Sequence, residues 1–533
     1  MLDFEWVAIA FGDVTWLTIA FLCGFIASQL KLPPLIGYLT AGFILNYYGF
    51  SSGEMLHKLA DLGITLLLFA VGLKLDLKNL FKPQIWAVTS LHIAGVILFF
   101  GSIFYLLLLL SVPPFNSMNL GAIILISFSL SFSSTVFAVK NLEGKREVAS
   151  LHGKIAIGIL VMQDLLAVIF LASSDGKIPA LIAPAIILLL VLARPLLNYI
   201  LTRSGHGELL ILYAFVLAIG GANLFELGGI KDDLGALFMG VIIAQHEKSK
   251  QMARAIMGFK DIFLIGFFLT VGMSGQITLE AVLIALLIQP LILIKSGLFF
   301  RLMTGFNVRS RTALLASLNL SNYSEFGLIV IAIGVSQGWV NEQWLTILAL
   351  SLSFSFILAA PLNRKDHDIF NRFQDYWIRF QSETRLPEDQ SYDVQGAKIA
   401  IVGMGRVGAG AFDNMHQRHG DLVIGIDFDQ QKVDHHQARG RNVIRGNPTD
   451  PYFWDNFKPN PEFQLIILTL PFASSCIEVI EHLRAAGYNG RFAATARYQK
   501  DEDIFNEAGV NEIFNLYKNA GASFAQTIDT KTI

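Results

Sequence analysis

Long apolar segments follow one another from about residue 14 to residue 361, and then they stop. We interpret them as thirteen candidate transmembrane helices, several of them too short to cross a bilayer without irregular backbone. The predicted spans cover residues 14–30, 33–47, 59–76, 85–111, 118–140, 149–172, 178–202, 207–225, 231–246, 258–273, 277–303, 311–336 and 342–361. The pattern therefore predicts a polytopic α-helical domain that lies in a lipid bilayer over residues 1–363.

Composition supports a membrane protein. Hydrophobic residues make up 53% of the 533 residues and charged residues only 15%, whereas soluble domains contain roughly a quarter charged residues. The formal net charge of −2 gives no basic excess, so we expect no nucleic-acid partner. Cys23 and Cys476 fall in different predicted domains, so no disulfide framework is expected.

The distribution of basic residues between the predicted spans indicates an orientation. The odd-numbered loops contain Lys31, Lys74, Lys78, Lys82, Lys140, Lys145, Arg146, Arg203, Lys248, Lys250, Arg254, Arg301, Arg309 and Arg311. The even-numbered loops contain little beyond Lys58, Lys177 and Lys231. The positive-inside rule then places the odd loops and the C-terminal part in the cytoplasm and the N-terminus outside. No cleaved signal peptide is expected at the N-terminus.

Residues 364–397 are polar, with apolar side chains at helical spacing in their first half: Phe370, Phe373, Trp377 and Phe380. This spacing predicts an amphipathic helix, followed by a linker after Pro387. Residues 398–520 then show short apolar runs, at 398–405, 421–429, 441–446, 463–470 and 490–497, which alternate with helical stretches. Such alternation predicts a parallel sheet in an α/β domain, and residues 521–533 form a short tail.

A glycine pattern opens this α/β domain. Gly403, Gly405 and Gly408 follow its first strand in the spacing GxGxxG, and Asp427 ends the second strand. The glycines allow a phosphate to approach a helix N-terminus, and the acidic residue can hold ribose hydroxyls. The predicted nucleotide-binding residues are Gly403, Gly405, Arg406, Gly408, Asp427, Asp429 and Asn447. The alternative is a Rossmann-like domain without a ligand. No substrate domain follows, so a sensor is expected and an enzyme is not.

Within the apolar part, Gln163 and Asp164 lie side by side in LVMQDLLAVIFL. A carboxylate there costs several kcal/mol, which marks it as a functional candidate. Small polar residues interrupt the fifth and twelfth spans, in SFSLSFSSTV and SLNLSNYSEF. Polar interruptions at matching places of two inverted repeats point to a transporter's midplane site. The alternative is ordinary packing of serine-rich helices.

Lys295 is the second deeply placed charge, in LLIQPLILIKSGLFF. We expect it to lie near Asp164, so that each charge lowers the desolvation cost of the other. Because Arg301 follows six residues later, snorkelling of Lys295 towards the interface is the alternative. The predicted ion-binding and transport residues are Asp164, Gln163, Ser133, Ser134, Thr135, Lys295 and Glu325.

Several segments of this chain are similar to the Kef-type branch of the monovalent cation:proton antiporter-2 family: LPPLIGYLTAGFILN, LGITLLLFAVGLKLD, SFSSTVFAV, GKIAIGILVMQDLLAV, FFLTVGM and SEFGLIVIAIG. The segments KIAIVGMGRVG, IGIDFD, RNVIRGNPTD and AATAR resemble the RCK-N (KTN) module attached to such antiporters. The resemblance implies a homodimer in the bacterial inner membrane that exchanges K⁺ for H⁺. It also implies AMP or NAD(H) as a regulatory adenine nucleotide.

These expectations give a mechanism in which Asp164 binds either the cation or a proton, so that exchange moves no net charge. The Gln163 carbonyl, the serines of the fifth span and exposed backbone would complete the cation site. Two alternatives stay open, a Na⁺/H⁺ antiporter and a cation channel gated by a nucleotide. A pore-filter sequence such as TVGYG is missing from the chain, which argues against the channel.

Overall fold

The computed structural model describes residues 5–527, except residues 31, 51–52, 75–79, 146, 149, 175–179, 181, 206, 383, 385, 387–391, 394–395, 450–452, 455–456, 459–462 and 486. The chain divides into two compact units. The membrane unit comprises residues up to 142 together with 155–382, and the soluble unit comprises residues 143–154 together with those from 383 onward.

All regular secondary structure among the described residues of the membrane unit is helical. Its helices are α1 Glu5–Gln29, α2 Pro34–Tyr47, α3 Glu54–Lys74, α4 Pro83–Leu109, α5 Leu120–Ser131, α6 Thr135–Gly144, α7 Leu151–Ser174, α8 Ala183–Arg203, α9 Glu208–Leu227, α10 Asp232–Ile243, α11 Ser249–Ser274, α12 Leu279–Ile288, α13 Leu291–Gly305, α14 Ser310–Asn319, α15 Glu325–Ser336 and α16 Gln343–Arg364. Each predicted span coincides with one helix or with two helices separated by a short break. In the described part of the chain, eight helical segments are long and apolar enough to cross a membrane, or nine with a bent pair.

Three predicted spans are broken. The fifth breaks between α5 and α6, the twelfth between α14 and α15, and the eleventh at Gln289 and Pro290 between α12 and α13. Proline lacks the N–H that would continue a helix, which explains the third break. Serine and asparagine side chains compete for backbone hydrogen bonds, which explains the first two. Ser324, for example, caps α15 by accepting a hydrogen bond from Phe326 N at 3.2 Å.

Small residues allow close packing of the other membrane helices. A Cβ atom on Gly42 of α2 would lie 2.8 Å from the Cα of Gly272 in α11. A Cβ atom on Gly72 of α3 would lie 3.0 Å from the Cα of Gly240 in α10. Such contacts are typical of membrane helix packing, where van der Waals contact replaces the hydrophobic driving force.

The segment after α16 differs from the single amphipathic helix that the sequence predicts. It forms two short helices, α17 Asp366–Arg372 and α18 Gln374–Ile378, which meet at Phe373. Trp377 and Phe380 pack edge-on against Phe300 of α13, with ring centroids 5.1 and 5.8 Å away. The aromatic side chains therefore pack on the membrane unit, while Pro387 and the start of the predicted linker lie outside the described residues.

The soluble unit contains the predicted parallel sheet, which has six strands where five were predicted. Its elements are β1 Tyr392–Asp393, β2 Ile399–Val402, α19 Arg406–His419, β3 Val423–Asp427, α20 Gln430–Gln437, β4 Val443–Arg445, β5 Phe457–Lys458, β6 Leu465–Leu468, α21 Ala473–Ala485, β7 Arg491–Ala496, α22 Gln499–Glu507, β8 Glu512–Asn515 and α23 Leu516–Thr527. The sheet order β4-β3-β2-β6-β7-β8 is that of a doubly wound Rossmann fold. The five predicted strands are confirmed. The edge strand β8, half-exposed and without a continuous apolar run, was not predicted.

Candidate functional site

The two serine-rich breaks meet in the interior of the membrane unit. Ser133 Oγ donates a hydrogen bond to Leu320 O at 2.8 Å, and Ser134 N donates to Asn322 Oδ1 at 2.6 Å. All four residues are fully buried. Buried backbone groups that leave a helix must find other partners, and here each break supplies partners to the other. The polar positions of the fifth and twelfth spans therefore belong to one site.

Gln163 of α7 holds the first break in place. Its Oε1 atom accepts a hydrogen bond from Ser133 N at 2.9 Å, and its Nε2 atom donates to Ser131 O at 3.0 Å. One side-chain amide thus satisfies a donor and an acceptor released where α5 ends. The Gln163 carbonyl oxygen, a predicted cation ligand, here accepts from the backbone of the break, and its contact with the cation stays a prediction.

Asp164, the next residue of α7, is buried with 4% of its surface exposed. Its Oδ2 atom accepts a hydrogen bond from Thr135 Oγ1 at 3.2 Å. Thr135 is the first residue of α6, where unpaired N–H groups give the helix a partial positive charge. The carboxylate therefore lies at the positive end of a broken helix, together with the predicted site residues Gln163 and Ser133.

Lys295 of α13 has different partners from those expected. Its Nζ atom donates to Phe132 O at 2.5 Å and to Asn322 O at 2.7 Å, and it lies 5.3 Å from the centre of the Tyr323 ring. No ion pair joins it to Asp164 within the described part of the chain. The carbonyls that follow α5 and α14 carry partial negative charge, and they take the place of the predicted carboxylate. Because Lys295 is fully buried, it does not snorkel to the interface.

A set of asparagine side chains extends the contact between the breaks. The polar pattern of the twelfth span pointed to Asn319 and Asn322, whereas Asn141 and Asn363 were not predicted. Asn141 Nδ2 donates to Asn319 Oδ1 at 2.5 Å and to Asn363 Oδ1 at 3.1 Å. Asn322 Nδ2 donates to Asn319 O at 3.0 Å. All four asparagines lie in or beside apolar helices, and this position was the signal that the chain offered. Their pairing across residues far apart in sequence could not be read from the chain.

Glu325, also predicted, lies in the first turn of α15 and is 3% exposed. Its carboxylate accepts a long hydrogen bond of 3.4 Å from Ser324 Oγ. It lines a cavity of about 90 Å³, which Val136 and Lys140 of α6 also line and which Asp164 does not. The structure therefore places Glu325 at a cavity beside the Asp164 group and not within that group.

In the soluble unit, each of the three glycines has a distinct environment. Gly403 has φ of +95°, which other residues rarely adopt. A Cβ atom on Gly408 would lie 1.8 Å from Gly403 O, so the helix packs directly on the turn. Gly405, the cap of α19, faces open space and no side chain caps the helix. Free N–H groups at a helix start, beside room for a ligand, make an anion site. Arg406, the first residue of α19, is exposed beside it.

The acidic residues of this domain hold its loops. Asp427 accepts hydrogen bonds from Met404 N at 2.8 Å and from Asp429 N at 3.0 Å, one at each carboxylate oxygen. Asp429 caps α20 through Gln431 N, and Asn447 accepts from the Thr449 hydroxyl. Each Asp427 oxygen keeps a further lone pair for a ribose hydroxyl.

A second network behind the turn was not predicted. His436 Nε2 lies 2.8 Å from Met404 O, and Arg441 Nη1 lies 2.7 Å from His436 Nδ1. Arg441 also donates two hydrogen bonds to Asp413, and this guanidinium lowers the pKa of the Asp413 carboxyl. Since Arg441 can only donate, this contact makes His436 Nδ1 an acceptor and His436 Nε2 the donor to Met404 O. The glycine-rich turn is therefore supported from α19 and α20.

Two broken helices that meet beside a buried carboxylate are the architecture of a secondary ion transporter, and the second unit is a Rossmann-type domain. Residues 17–364 match the family described as sodium/hydrogen exchanger, transmembrane, and residues 399–516 match the TrkA-N domain. Because the first match covers more than half of the chain, the protein belongs to the sodium/hydrogen exchanger family. It is an integral membrane protein, and the family is one of transporters.

Named relatives agree with this assignment. The chain is 27% identical to the putative cation/proton antiporter YbaL of Escherichia coli (strain K12), over 96% of each chain. It is 26% identical to the glutathione-regulated potassium-efflux system protein KefC of Enterobacter sp. (strain 638), over 80% of this chain and 69% of that protein. The sodium proton antiporter MjNhaP1 of Methanocaldococcus jannaschii shares the fold, with a TM-score of 0.50 and 14% identity over 68% of this chain and 98% of the other. The resemblance to Kef-type antiporters that carry an RCK-N domain is confirmed.

Proposed function

We propose that the protein exchanges K⁺ for H⁺ across the bacterial inner membrane, that Asp164 is the exchanging group, and that a nucleotide on the soluble unit regulates the exchange. The observation that carries the proposal is the buried Asp164 carboxylate at the start of α6, beside two broken helices. The names of the KefB and KefC relatives, which are potassium-efflux proteins, favour K⁺ as the cation.

In this mechanism the deprotonated Asp164 binds the cation, and the Thr135 hydroxyl and backbone oxygens of the breaks supply further ligands. A proton on Asp164 removes the negative charge and releases the cation. Lys295 compensates the carbonyl ends of the breaks, and the Asp164 carboxylate binds the transported ion. One carboxylate that alternates between two occupants gives one-for-one exchange without net charge movement.

Purified protein in liposomes with an internal pH dye tests this directly. A K⁺ gradient should drive proton flux with the wild type and not with Asp164→Asn, while Asp375→Asn, at an exposed carboxylate, should behave as the wild type. A Na⁺ gradient in parallel vesicles tests the Na⁺/H⁺ alternative. K⁺ flux without proton flux would support the channel, and normal exchange by Asp164→Asn would refute the assigned site.

For the soluble unit we propose AMP or NAD(H) as the regulatory ligand, with its phosphate at Gly405 and Arg406 and its ribose at Asp427. The open space at Gly405 and the uncapped start of α19 support this placement. Binding changes transport only if the nucleotide prefers one conformation of the protein, and ordinary couplings of about 1–3 kcal/mol alter activity roughly 5- to 150-fold.

Titration of the purified protein with AMP, ATP, NAD⁺ and NADH tests the nucleotide site. Gly405→Ala should weaken binding without loss of thermal stability, because its methyl group enters the open space that a phosphate would fill. Gly410→Ala is the matched control, since its Cβ also meets no atom within 4 Å and it lies further along α19. Asp427→Ala should weaken binding as well. Equal affinity in Gly405→Ala would place the phosphate elsewhere.

The proposal also covers the assembly, the orientation in the membrane and the domain boundaries. The protein acts as a homodimer with its N-terminus outside and its soluble unit in the cytoplasm. Residues 1–363 form the transport domain, 364–397 the connecting segment, 398–520 the regulatory domain and 521–533 the tail. Chemical crosslinking in membranes and protease accessibility of the soluble unit in inverted vesicles test the assembly and the orientation.

A further inference from the structure

The membrane unit holds a second buried carboxylate that the exchange at Asp164 does not use. Glu325 is 3% exposed, and within the described residues its carboxylate accepts one hydrogen bond, from Ser324 Oγ at 3.4 Å. No Lys, Arg or His side chain forms an ion pair with it within the described residues. A charge in such a place is costly unless something compensates it, so Glu325 requires a further partner.

The cavity beside Glu325 has room for that partner. Its volume of about 90 Å³ lies between α2, α6, α11 and α15, with Tyr38, Val136 and Phe268 in its wall. At about 30 Å³ for each water in the liquid, a few water molecules or a partly hydrated cation would fit. Lys140, which also lines the cavity, is exposed, whereas Glu325 is buried. The cavity therefore extends from the surface of the membrane unit to a buried carboxylate.

The N-terminus of α6 joins this cavity to the Asp164 site. Thr135 contacts Asp164 through its hydroxyl group, and the next residue, Val136, lines the cavity. The contact to Asp164 and the wall of the cavity are therefore made by consecutive residues of α6. Lys140 lies further along the same helix, at the exposed end of the cavity.

We propose that Glu325 and its cavity form a second, preliminary binding site for the transported monovalent cation, on the route between solvent and Asp164. Glu325 supplies the oxygen ligand, and the ammonium group of Lys140 opposes occupancy by more than one cation. The inference rests on the proposed function, since it assumes that Asp164 is the exchanging group.

The competing explanation is structural. A glutamate in the first turn of a helix is stabilised by the partial positive charge there, whatever the protein binds. That role predicts a loss of stability in Glu325→Gln but no change in cation affinity. The tests must therefore measure cation binding as well as stability.

The first test is thermal unfolding of the detergent-purified protein in KCl and in choline chloride at equal ionic strength. Asp164→Asn should keep part of the K⁺-dependent rise in Tm of the wild type, and Asp164→Asn combined with Glu325→Gln should lose it. Loss of the whole rise in Asp164→Asn alone would overturn the second site. Continued transport by Asp164→Asn would instead refute the proposed function, so the two failures are distinguishable.

The second test is transport kinetics in liposomes. Glu325→Gln should raise the KM for K⁺ about five- to tenfold with a smaller change in kcat, since a partly hydrated ion contact contributes roughly 1 kcal/mol. Glu325→Asp should restore part of the affinity, and Lys140→Gln should lower KM. Glu342→Gln, at an exposed carboxylate, is the control. An unchanged KM in Glu325→Gln, with or without a lower Tm, would overturn the inference.

Discussion

The serine-rich breaks of the membrane unit and the glycine-rich turn of the soluble unit contain similar groups. These groups already have protein partners in the first region and face open space in the second. Both combine a helix N-terminus, irregular backbone and an aspartate. In the membrane unit, Gln163, Asn322 and Lys295 already bind the backbone groups of the breaks. In the soluble unit, the start of α19 at Gly405 lacks a side-chain cap and faces open space.

The difference follows from the surroundings. Inside a membrane unit no bulk water satisfies a released N–H or C=O group, so side chains must do so permanently. At the surface of a soluble domain, water can hold the same groups until a ligand displaces it. We therefore expect substitutions at the breaks to cost stability, and substitutions at the open turn to cost affinity. The predictions that follow test this contrast.

The largest effect is expected at Lys295. Lys295→Met removes two charge-assisted hydrogen bonds and leaves two buried carbonyl groups without their cation. Each buried carbonyl left unsatisfied costs about 1–3 kcal/mol, so the two together should cost about 2–6 kcal/mol and Tm should fall by many degrees. Lys58→Ala, at an exposed residue of α3 paired with Glu54, should leave Tm nearly unchanged. Equal stability of the two variants would show that the breaks do not need the cation.

The next effect is expected at Asn322. Asn322→Ala leaves Ser134 N buried without its acceptor, which should cost about 1–3 kcal/mol. Asn116→Ala, at an exposed residue, provides the comparison. Thermal unfolding measures both. If Asn322→Ala is as stable as the control, water reaches the breaks and the contrast with the open turn fails.

A smaller, pH-dependent effect is expected at Gln163. Gln163→Glu replaces the donor to Ser131 O by a carboxylate that faces a carbonyl and adjoins Asp164. Two adjoining carboxylates titrate as a coupled pair, so the pH optimum should shift by about one unit. Two titratable groups should also make exchange depend on membrane potential. An unchanged pH profile in liposomes, with Gln337→Glu as the exposed control, would contradict this reading.

The smallest effect is expected in the soluble unit. Arg441 lowers the pKa of Asp413, so this pair stabilises the folded state above the unfolded pKa of about 4, and the stabilisation is lost as pH falls through the lower folded pKa. Because the Asp413 carboxylate is exposed, Asp413→Asn should cost less than about 1 kcal/mol at pH 7. Thermal unfolding of the two proteins should converge below about pH 4. A gap that widens at low pH would contradict the pairing.

More of the fold than of the contacts within the site could be predicted from the sequence. Apolar runs locate the membrane helices because lipid requires them, and serine and asparagine in the fifth and twelfth spans mark the two breaks. The edge strand β8 was missed because half of its side chains face solvent and its apolar signal is weak. The two short helices around Phe373 were missed because periodicity continues through the break between them.

The partners of Lys295 could not be predicted for a different reason. The prediction placed the formal charge of Lys295 near that of Asp164. Helix ends carry partial charge without any charged residue, and only the fold brings Phe132 O and Asn322 O to the ammonium group. The same limit applies to His436 and Arg441, whose connection to the glycine-rich turn depends on how α20 packs beside β3.

The most direct test of the central claim is proton release on cation binding. K⁺ is added to detergent-purified protein in weak buffer near the pH at which transport is half-maximal, and released protons are counted against bound K⁺. Because the ligand must be deprotonated to bind a cation, the wild type should release protons, up to about one for each K⁺ bound to the Asp164 site. Asp164→Asn should release none. Equal release from both proteins would contradict exchange at Asp164.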